Sequence, residues 1–415
     1  TGPTITVSNS VELKEAYDLL ANQDGGGTIL MDPGFYGEFV LNSSNTLGGN
    51  EPVIIASADD ANPAEFTRIS LHSIENIRIE DIFVDSTGVS RPNWHVDLSI
   101  EGASNIQIAD STFVHDTDNA LKDAGERCED MSLIRYSSDI VFENNYVDGY
   151  FHALKMSENQ GVEITNNELT NMQGDGIRGG GWQDVLIQGN YFHDFYGTDQ
   201  TLNHSDLIQI WGSDSDTLTQ NVTITENIML TDQAASQSIF IRNEEFGDAG
   251  DPTSGYFQNI TVTDNLIYNA HKWGIHVADT QGILIDGNTV LWNPEAVMMV
   301  GGEPRSYLPE IFTRNASDVT ATNNIVSEVR VPDGETAENN QILNFEDPSD
   351  PNFVGAHFVN PLIGLGADLR DLYMLPDSSW YDTYGAWVGY FPSQTPEGVL
   401  PVFSSSASDQ DQYEI

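Results

Sequence analysis

The chain has 415 residues, 39% of them apolar and 10% aromatic, enough to build a sizeable core. Fifteen Lys and Arg against 64 Asp and Glu leave a formal charge of −49, which favours solubility, repels polyanions and argues against nucleic acid as a partner. Cys128 is the single cysteine, so no intrachain disulfide forms, and no apolar run is long enough for membrane insertion; stability must come from packing.

The first predicted element is an amphipathic helix over Ser10 to Asn22 (SVELKEAYDLLAN), with Asn9 and Glu12 spaced as a capping box. The run GGGTILMDPGFYGEFVL then reads as a Gly turn and two strands. Residues 1–50 are expected to cover the open end of the first coil and remove a sticky strand edge.

A short phrase then recurs nine times: NIRIEDI, NIQIADS, DIVFENN, GVEITNN, DVLIQGN, NVTITEN, NITVTDN, GILIDGN and DVTATNN, starting at residues 76, 105, 139, 161, 184, 221, 259, 282 and 318. Its apolar residues alternate with polar ones, as in Val222, Thr223, Ile224, Thr225, which is strand periodicity. Seven copies end in Asn (145, 167, 190, 227, 265, 288, 324), while the first two end in Ile82 and Ser111. Asn repeated at one turn of successive coils can pass side-chain hydrogen bonds from rung to rung. The pattern predicts an all-β chain, a right-handed single-stranded parallel β-helix. Leucine-rich repeats fit poorly, because Leu is sparse in the phrase and no helical pattern comes after it.

First apolar positions at 140, 162 and 185 give coils of 22 and 23 residues, while the interval from 106 to 140 is 34 and that from 185 to 222 is 37. The additional residues must leave the coil as loops, which in repeat folds often gather on a binding face. Residues 51–329 read as coils. The phrase stops after Val326, and residues 330–415 read as an irregular C-terminal cap ending in a mobile tail, SSSASDQDQYEI.

The N-terminal helix followed by GGGTILMDPGFY, the Asn-bearing coils and the FVNPL…DLRDLYMLPDSS run together resemble the right-handed β-helix proteins of the pectin lyase-like superfamily, over nearly the whole chain. DGIRGGGWQDVLIQGNYFHDF, NHSDLIQIW and QSIFIRNE are similar to β-helix modules of marine alphaproteobacteria and their phages. The resemblance implies carbohydrate work, as polysaccharide lyase, uronan epimerase, glycoside hydrolase or tailspike, and does not choose among them.

The strand after each Asn is where chemistry is expected. Aligning Ala120-Leu121-Lys122, Ala153-Leu154-Lys155, Gly176-Ile177-Arg178, Leu207-Ile208-Gln209, Phe240-Ile241-Arg242, Gly274-Ile275-His276 and Val297-Met298-Met299 puts the central apolar residue inside. Lys122, Lys155, Arg178, Gln209, Arg242 and His276 then form one outer column, about 4.8 Å apart per coil. Such a row suits carboxylates or sulfates of an extended anionic glycan. Asp175 and Asp206 precede the column, with His152 and Asp118 near the corresponding turn. The stretch from His193 to Trp211 adds Asp194, Tyr196, His204 and Trp211.

Three functions fit. In a uronan lyase or epimerase, Arg178 or Arg242 neutralises the carboxylate, Lys155 or His204 takes the C5 proton, and His276 or Tyr196 protonates the leaving oxygen. In a hydrolase, Asp175 and Asp206 are the carboxylate pair, although the adjacent Asp pair and Gly-His-Gly run of polygalacturonase-like chains are missing. In a tailspike or adhesin the column only binds a surface glycan, with Trp94, Trp182, Trp211, Trp273 and Trp292 as stacking candidates and a homotrimer expected; otherwise the chain is expected to be a monomer. No motif demands a cofactor; Ca²⁺ on acidic turns is the one candidate, without a GGxGxDxUx run. Thr1 fits either an excised initiator Met, as in a virion protein, or a removed leader, as in a secreted one.

Overall fold

The computed structural model describes residues 2–22, 26–42, 51–88, 96–123, 126–196, 205–212, 216–231, 236–245, 255–300 and 303–381. Trp94, His204 and the tail from 382 onward lie outside the described residues. A typical coil has three strands, such as Ser138–Glu143, Tyr146–Asp148 and Leu154–Ser157. The first joins a 13-stranded sheet and the other two a 21-stranded sheet, each pairing in parallel with its counterpart one coil away. The stack is a parallel β-helix, as the repeated phrase predicts.

The phrase forms the first strand of each coil, and its two apolar residues point inward. Ile140, Val162, Val185, Val222, Ile260, Ile283 and Val319 lie in continuous register, all buried. Each such side chain contributes roughly 1.5–3 kcal/mol of burial, but only once its neighbours are stacked on both sides.

The rest of the phrase is explained by backbone conformation. Its first and sixth positions have positive φ in every copy, for example Asp184 (57°) and Gly189 (67°), or Asn221 (55°) and Glu226 (56°). Asn, Asp and Gly tolerate this left-handed region, so the polar letters of the phrase mark the two corners of the strand. The terminal Asn is structural. Asn227 accepts from the Asn190 backbone N–H and amide (both 3.0 Å) and donates to Ile187 O and Asn265 Oδ1 (both 3.0 Å). The ladder runs from Asn145 to Asn340, one rung beyond the last phrase, and Ser111 starts it by accepting from the Ile82 N–H.

At the N-terminal end the helix spans Ser10–Leu20 and buries Leu13, Ala16, Tyr17 and Leu20. Asn9 caps it, accepting from Val11 and Glu12 N–H, but Glu12 reaches back to the Ser8 backbone and hydroxyl instead of closing the box on Asn9. At the other end the chain after Ile342 lies along a flank of the helix. Leu343, Phe345, Val354, Phe358, Leu372 and Met374 pack on Leu230, Leu266, Tyr268 and Leu291, outward residues of successive coils, and Gly364 N–H donates to Tyr268 Oη (3.0 Å). This is why those coils carry apolar residues where alternation calls for polar ones.

The neighbouring coils on the same flank are polar. His193 bonds Glu168 through Nε2 (2.9 Å) and Asp194 through Nδ1 (2.6 Å), with the Tyr191 ring stacked 4.3 Å away. Burial opposes its charge, but the two carboxylates prevail and raise its pKa to about 9. The folded value lies above the unfolded 6.5, so the added stability is complete below pH 6.5 and is lost as pH rises through 9. The advantage of the wild type over His193→Gln is expected to shrink by about 3 kcal/mol between pH 6 and 10, read from urea midpoints. A constant gap would refute the charged His193.

Candidate functional site: a basic cleft on the third strand

The outward column differs from the sequence alignment in its register. Lys155 pairs with Arg178 and Arg178 with Gln209, as expected, but Gln209 pairs with Phe240, and Phe240 with His276 and then Phe312. Arg242 sits two residues further along, beside Trp211. Both Ile239 and Ile241 face inward, and a slip of two preserves the alternation, so the pattern alone could not place the rung. Val297-Met298-Met299 is likewise displaced: Met298–Val300 pairs antiparallel with Glu303–Arg305, and Glu310–Arg314 supplies the rung. Lys122 leaves the column altogether. It falls on a one-turn helix, Ala120–Asp123, and Ser132–Arg135 takes the rung, disguised by the inward Ser132.

These strands floor a cleft of ≈ 800 Å³ lined by Arg127, Lys155, Arg178 and Arg242, with Phe151, Trp211, Phe240 and Trp273 between them. Four of the chain's 15 bases thus meet in one opening, which Asp175 and Glu244 also line, of a molecule with 64 acids. Arg127 was not singled out by the sequence pattern. It comes from the loop inserted in the 34-residue coil, with its guanidinium carbon 3.7 Å from the Phe151 ring centre; the long interval was its only signal. Arg178 lies 4.7 Å over the Trp211 ring, and Phe240 stacks on Trp273 at 5.7 Å.

Acids behind the floor hold the bases in place. Lys155 Nζ is 2.9 Å from Asp130 Oδ2, Arg178 Nη1 is 2.8 Å from Asp175 Oδ2, and Arg242 Nε is 3.6 Å from Asp279 Oδ2. Asp175, which lines the cleft, and Asp206 are 2% and 0% exposed. Asp206 N–H donates to Asp175 Oδ1 (2.9 Å), and Gln209 Nε2 donates to Asp206 Oδ2. This geometry suits bracing better than general acid–base work, which needs contact with substrate. His152 sits close to Asp175 of the next coil; Asp175 N–H donates to its Nδ1 (2.7 Å) and its Nε2 lies 2.9 Å from Arg178 Nη1. Burial, then the charges of Arg178, Lys155 and Arg127, hold His152 neutral, far below the usual histidine range.

Other candidates fall elsewhere. His276 is fully buried among Phe240, Trp273 and Phe312, and burial with Arg314 and Arg242 pushes its pKa down to about 3. Tyr196, whose N–H bonds Met172 O (2.9 Å), is not among the cleft-lining residues. Trp182 is core, with Nε1 donating to Met156 O (3.1 Å), and Trp292 faces the C-terminal flank against Phe345. Gly179 belongs to the cleft floor at φ +147°, and a Cβ there would lie 1.6 Å from Met156 O. Gly179→Ala is expected to cost about 3 kcal/mol, from strain and overpacking, read as a lower denaturation midpoint. An unchanged midpoint would mean that the two coils do not approach each other so closely.

Among the described residues no group of three His, Cys, Asp or Glu is arranged for a metal ion, and no helix is long and apolar enough to cross a membrane. The family described as "right handed beta helix region" matches residues 206–360. The chain is a right-handed parallel β-helix. No curated protein sequence matches it. Among solved structures, this β-helix is similar to the Dettilon tailspike protein gp208 at 12% identity and TM-score 0.50, over 81% of this chain and 62% of that one. It is also similar to the surface adhesin PfbA of Streptococcus pneumoniae (17%, TM-score 0.48, 76% and 86%) and to the PL6 family alginate lyase AlyGC (12%, TM-score 0.47, 95% and 59%). These identities concern the fold.

Proposed function

We propose that this β-helix binds an acidic, uronate-containing polysaccharide in the cleft and cleaves it by β-elimination. The observation that carries the reading is the meeting of Arg127, Lys155, Arg178 and Arg242 over an aromatic floor in a chain of charge −49. Each of the four is paired with an acid, Arg127 and Lys155 with Asp130, Arg178 with Asp175 and Arg242 with Asp279, yet all four converge on one opening instead of scattering over the surface as isolated weak pairs. An anionic polymer that enters this opening gains charge-assisted hydrogen bonds, and sugar faces stack on Trp211 and Phe240.

The chemistry is set by position. Arg178 withdraws charge from the uronate carboxylate, which acidifies C5–H. Lys155 Nζ, after passing its own proton to solvent, takes that proton, the electron pair forms the C4=C5 bond, and the C4–O bond breaks. The lysine ammonium returns its proton to the departing oxygen, leaving a 4,5-unsaturated uronate. If the C4–O bond stays intact, delivery of a proton from water to the opposite face of C5 would give epimerisation instead.

The test is a panel of pectate, alginate and glucuronan, with and without added Ca²⁺ or EDTA, read for ultraviolet absorbance of unsaturated uronate and for retention on the immobilised polymer. Absorbance with one polymer supports elimination. New reducing ends without absorbance would point to hydrolysis and overturn the lyase reading. Retention without product favours the second reading, a glycan-binding tailspike or adhesin of the virion or cell surface, for which the row Trp211, Phe240 and Trp273 provides stacking platforms. A homotrimeric mass would support that reading further.

A further inference from the structure

The contact between His152 and Arg178 contains a conflict that identifies a ligand group. A neutral imidazole has one N–H and one bare nitrogen. Its Nδ1 lies 2.7 Å from the Asp175 N, whose N–H is fixed by the backbone and aimed at it. Nδ1 must therefore be the bare nitrogen, and the proton sits on Nε2. Yet Nε2 faces Arg178 Nη1 at 2.9 Å, and a guanidinium has only donors. The opposite tautomer would satisfy Arg178 but set two protons against each other at the Asp175 amide. A swinging side chain yields more easily than a main-chain amide whose neighbours on both sides, Gly174 and Gly176, are hydrogen-bonded to adjacent coils.

Arg178 Nη1 already gives one hydrogen to Asp175 Oδ2 at 2.8 Å. Its second hydrogen and the His152 Nε2–H then face each other across 2.9 Å, a repulsion that an acceptor entering from the cleft would relieve. His152 and Arg178 both line that opening.

We infer that His152 Nε2–H and Arg178 Nη1–H form a two-donor seat for one carboxylate oxygen of the polysaccharide. The inference rests on the acidic-polysaccharide reading and adds to it which atoms recognise the acid. The seat also assigns His152 a carboxylate-binding role: with Nδ1 occupied and Nε2 protonated, it has no lone pair to offer as a base. Asp175 anchors the seat at both ends, through its N–H to His152 and its carboxylate to Arg178. Asp206 N–H holds Asp175 in turn.

Two measurements on the full chain test this. In protein labelled with ¹⁵N-histidine, the ring shifts of His152, assigned by their loss in His152→Phe, should show a protonated Nε2 and a bare Nδ1. Sodium acetate, as a minimal carboxylate, should move the Nε2–H signal. An Nδ1–H tautomer overturns the seat, and so does an Nε2–H signal that acetate at molar concentration leaves in place. Second, the retained uronan is compared with its carboxyl-reduced form. Wild type should prefer the acid form by about 10–100-fold, and His152→Phe, checked for wild-type circular dichroism, should lose about tenfold of that preference. An unchanged preference in the variant overturns the seat while leaving the cleft reading intact. Equal binding of both polymers by the wild type overturns the acidic-polysaccharide reading itself.

Discussion

Under the proposed function, Lys155→Met is expected to lower the rate of uronan cleavage about 10²–10⁴-fold while leaving polymer retention within a fewfold of wild type. Met keeps the length and apolar stem of the side chain and removes only the amine, so the ring stacking on Trp211 and Phe240 persists. Arg178→Ala behaves differently. It removes the group proposed to hold the carboxylate in both ground and transition states, so retention and turnover are expected to fall together. The initial rate of absorbance increase and binding of the same polymer, measured side by side, separate the two patterns. A Lys155→Met enzyme with wild-type kcat would eliminate lysine as the base. Equal losses of binding in both variants would reduce the site to a receptor for glycan.

Asn227→Ala is the largest expected loss of stability, about 4 kcal/mol. Asn227 is fully buried, and its amide makes four hydrogen bonds to two coils and one strand carbonyl. Truncation strands the Asn190 backbone N–H and the Ile187 carbonyl in a dry interior, and each orphaned group costs about 1–3 kcal/mol. Asn105→Gly is the matched control. Asn105 also bonds across coils, to Asn76 Oδ1 at 2.7 Å, but in solvent and at φ +52°, a conformation that Gly accepts freely. Its urea midpoint is expected to shift by an equivalent of less than about 0.5 kcal/mol. Comparable shifts in the two variants would mean that the buried ladder is not what joins the coils.

These two sites illustrate how differently the sequence reports structure and chemistry. Asn227 was legible because the ladder needs the same residue at the same place in every coil, and a repeated constraint leaves a repeated letter. Lys155 and Arg178 were legible for a related reason. Their coils are 23 residues apart and carry no insertion, so alternation and spacing agree. Arg242 and His276 were placed in the right strands, but the wrong relation, because a two-residue slip leaves every inward residue inward. Lys122 was lost to an insertion, and Arg127 was hidden in the same one.

The sequence by itself determined the coil: its three-strand turn, its inward aliphatic pairs, its left-handed corners and its Asn ladder. All of these are local and are dictated by backbone sterics and period-2 burial, repeated nine times. Only the tertiary structure decided which side chains meet across coils. It brought Arg127 over Phe151, turned His276 into core, folded the C-terminal segment along a flank and set His152 Nε2 against Arg178. Those contacts depend on where irregular insertions return the chain and on which of two equivalent registers packs. Neither leaves a periodic trace for a sequence to show.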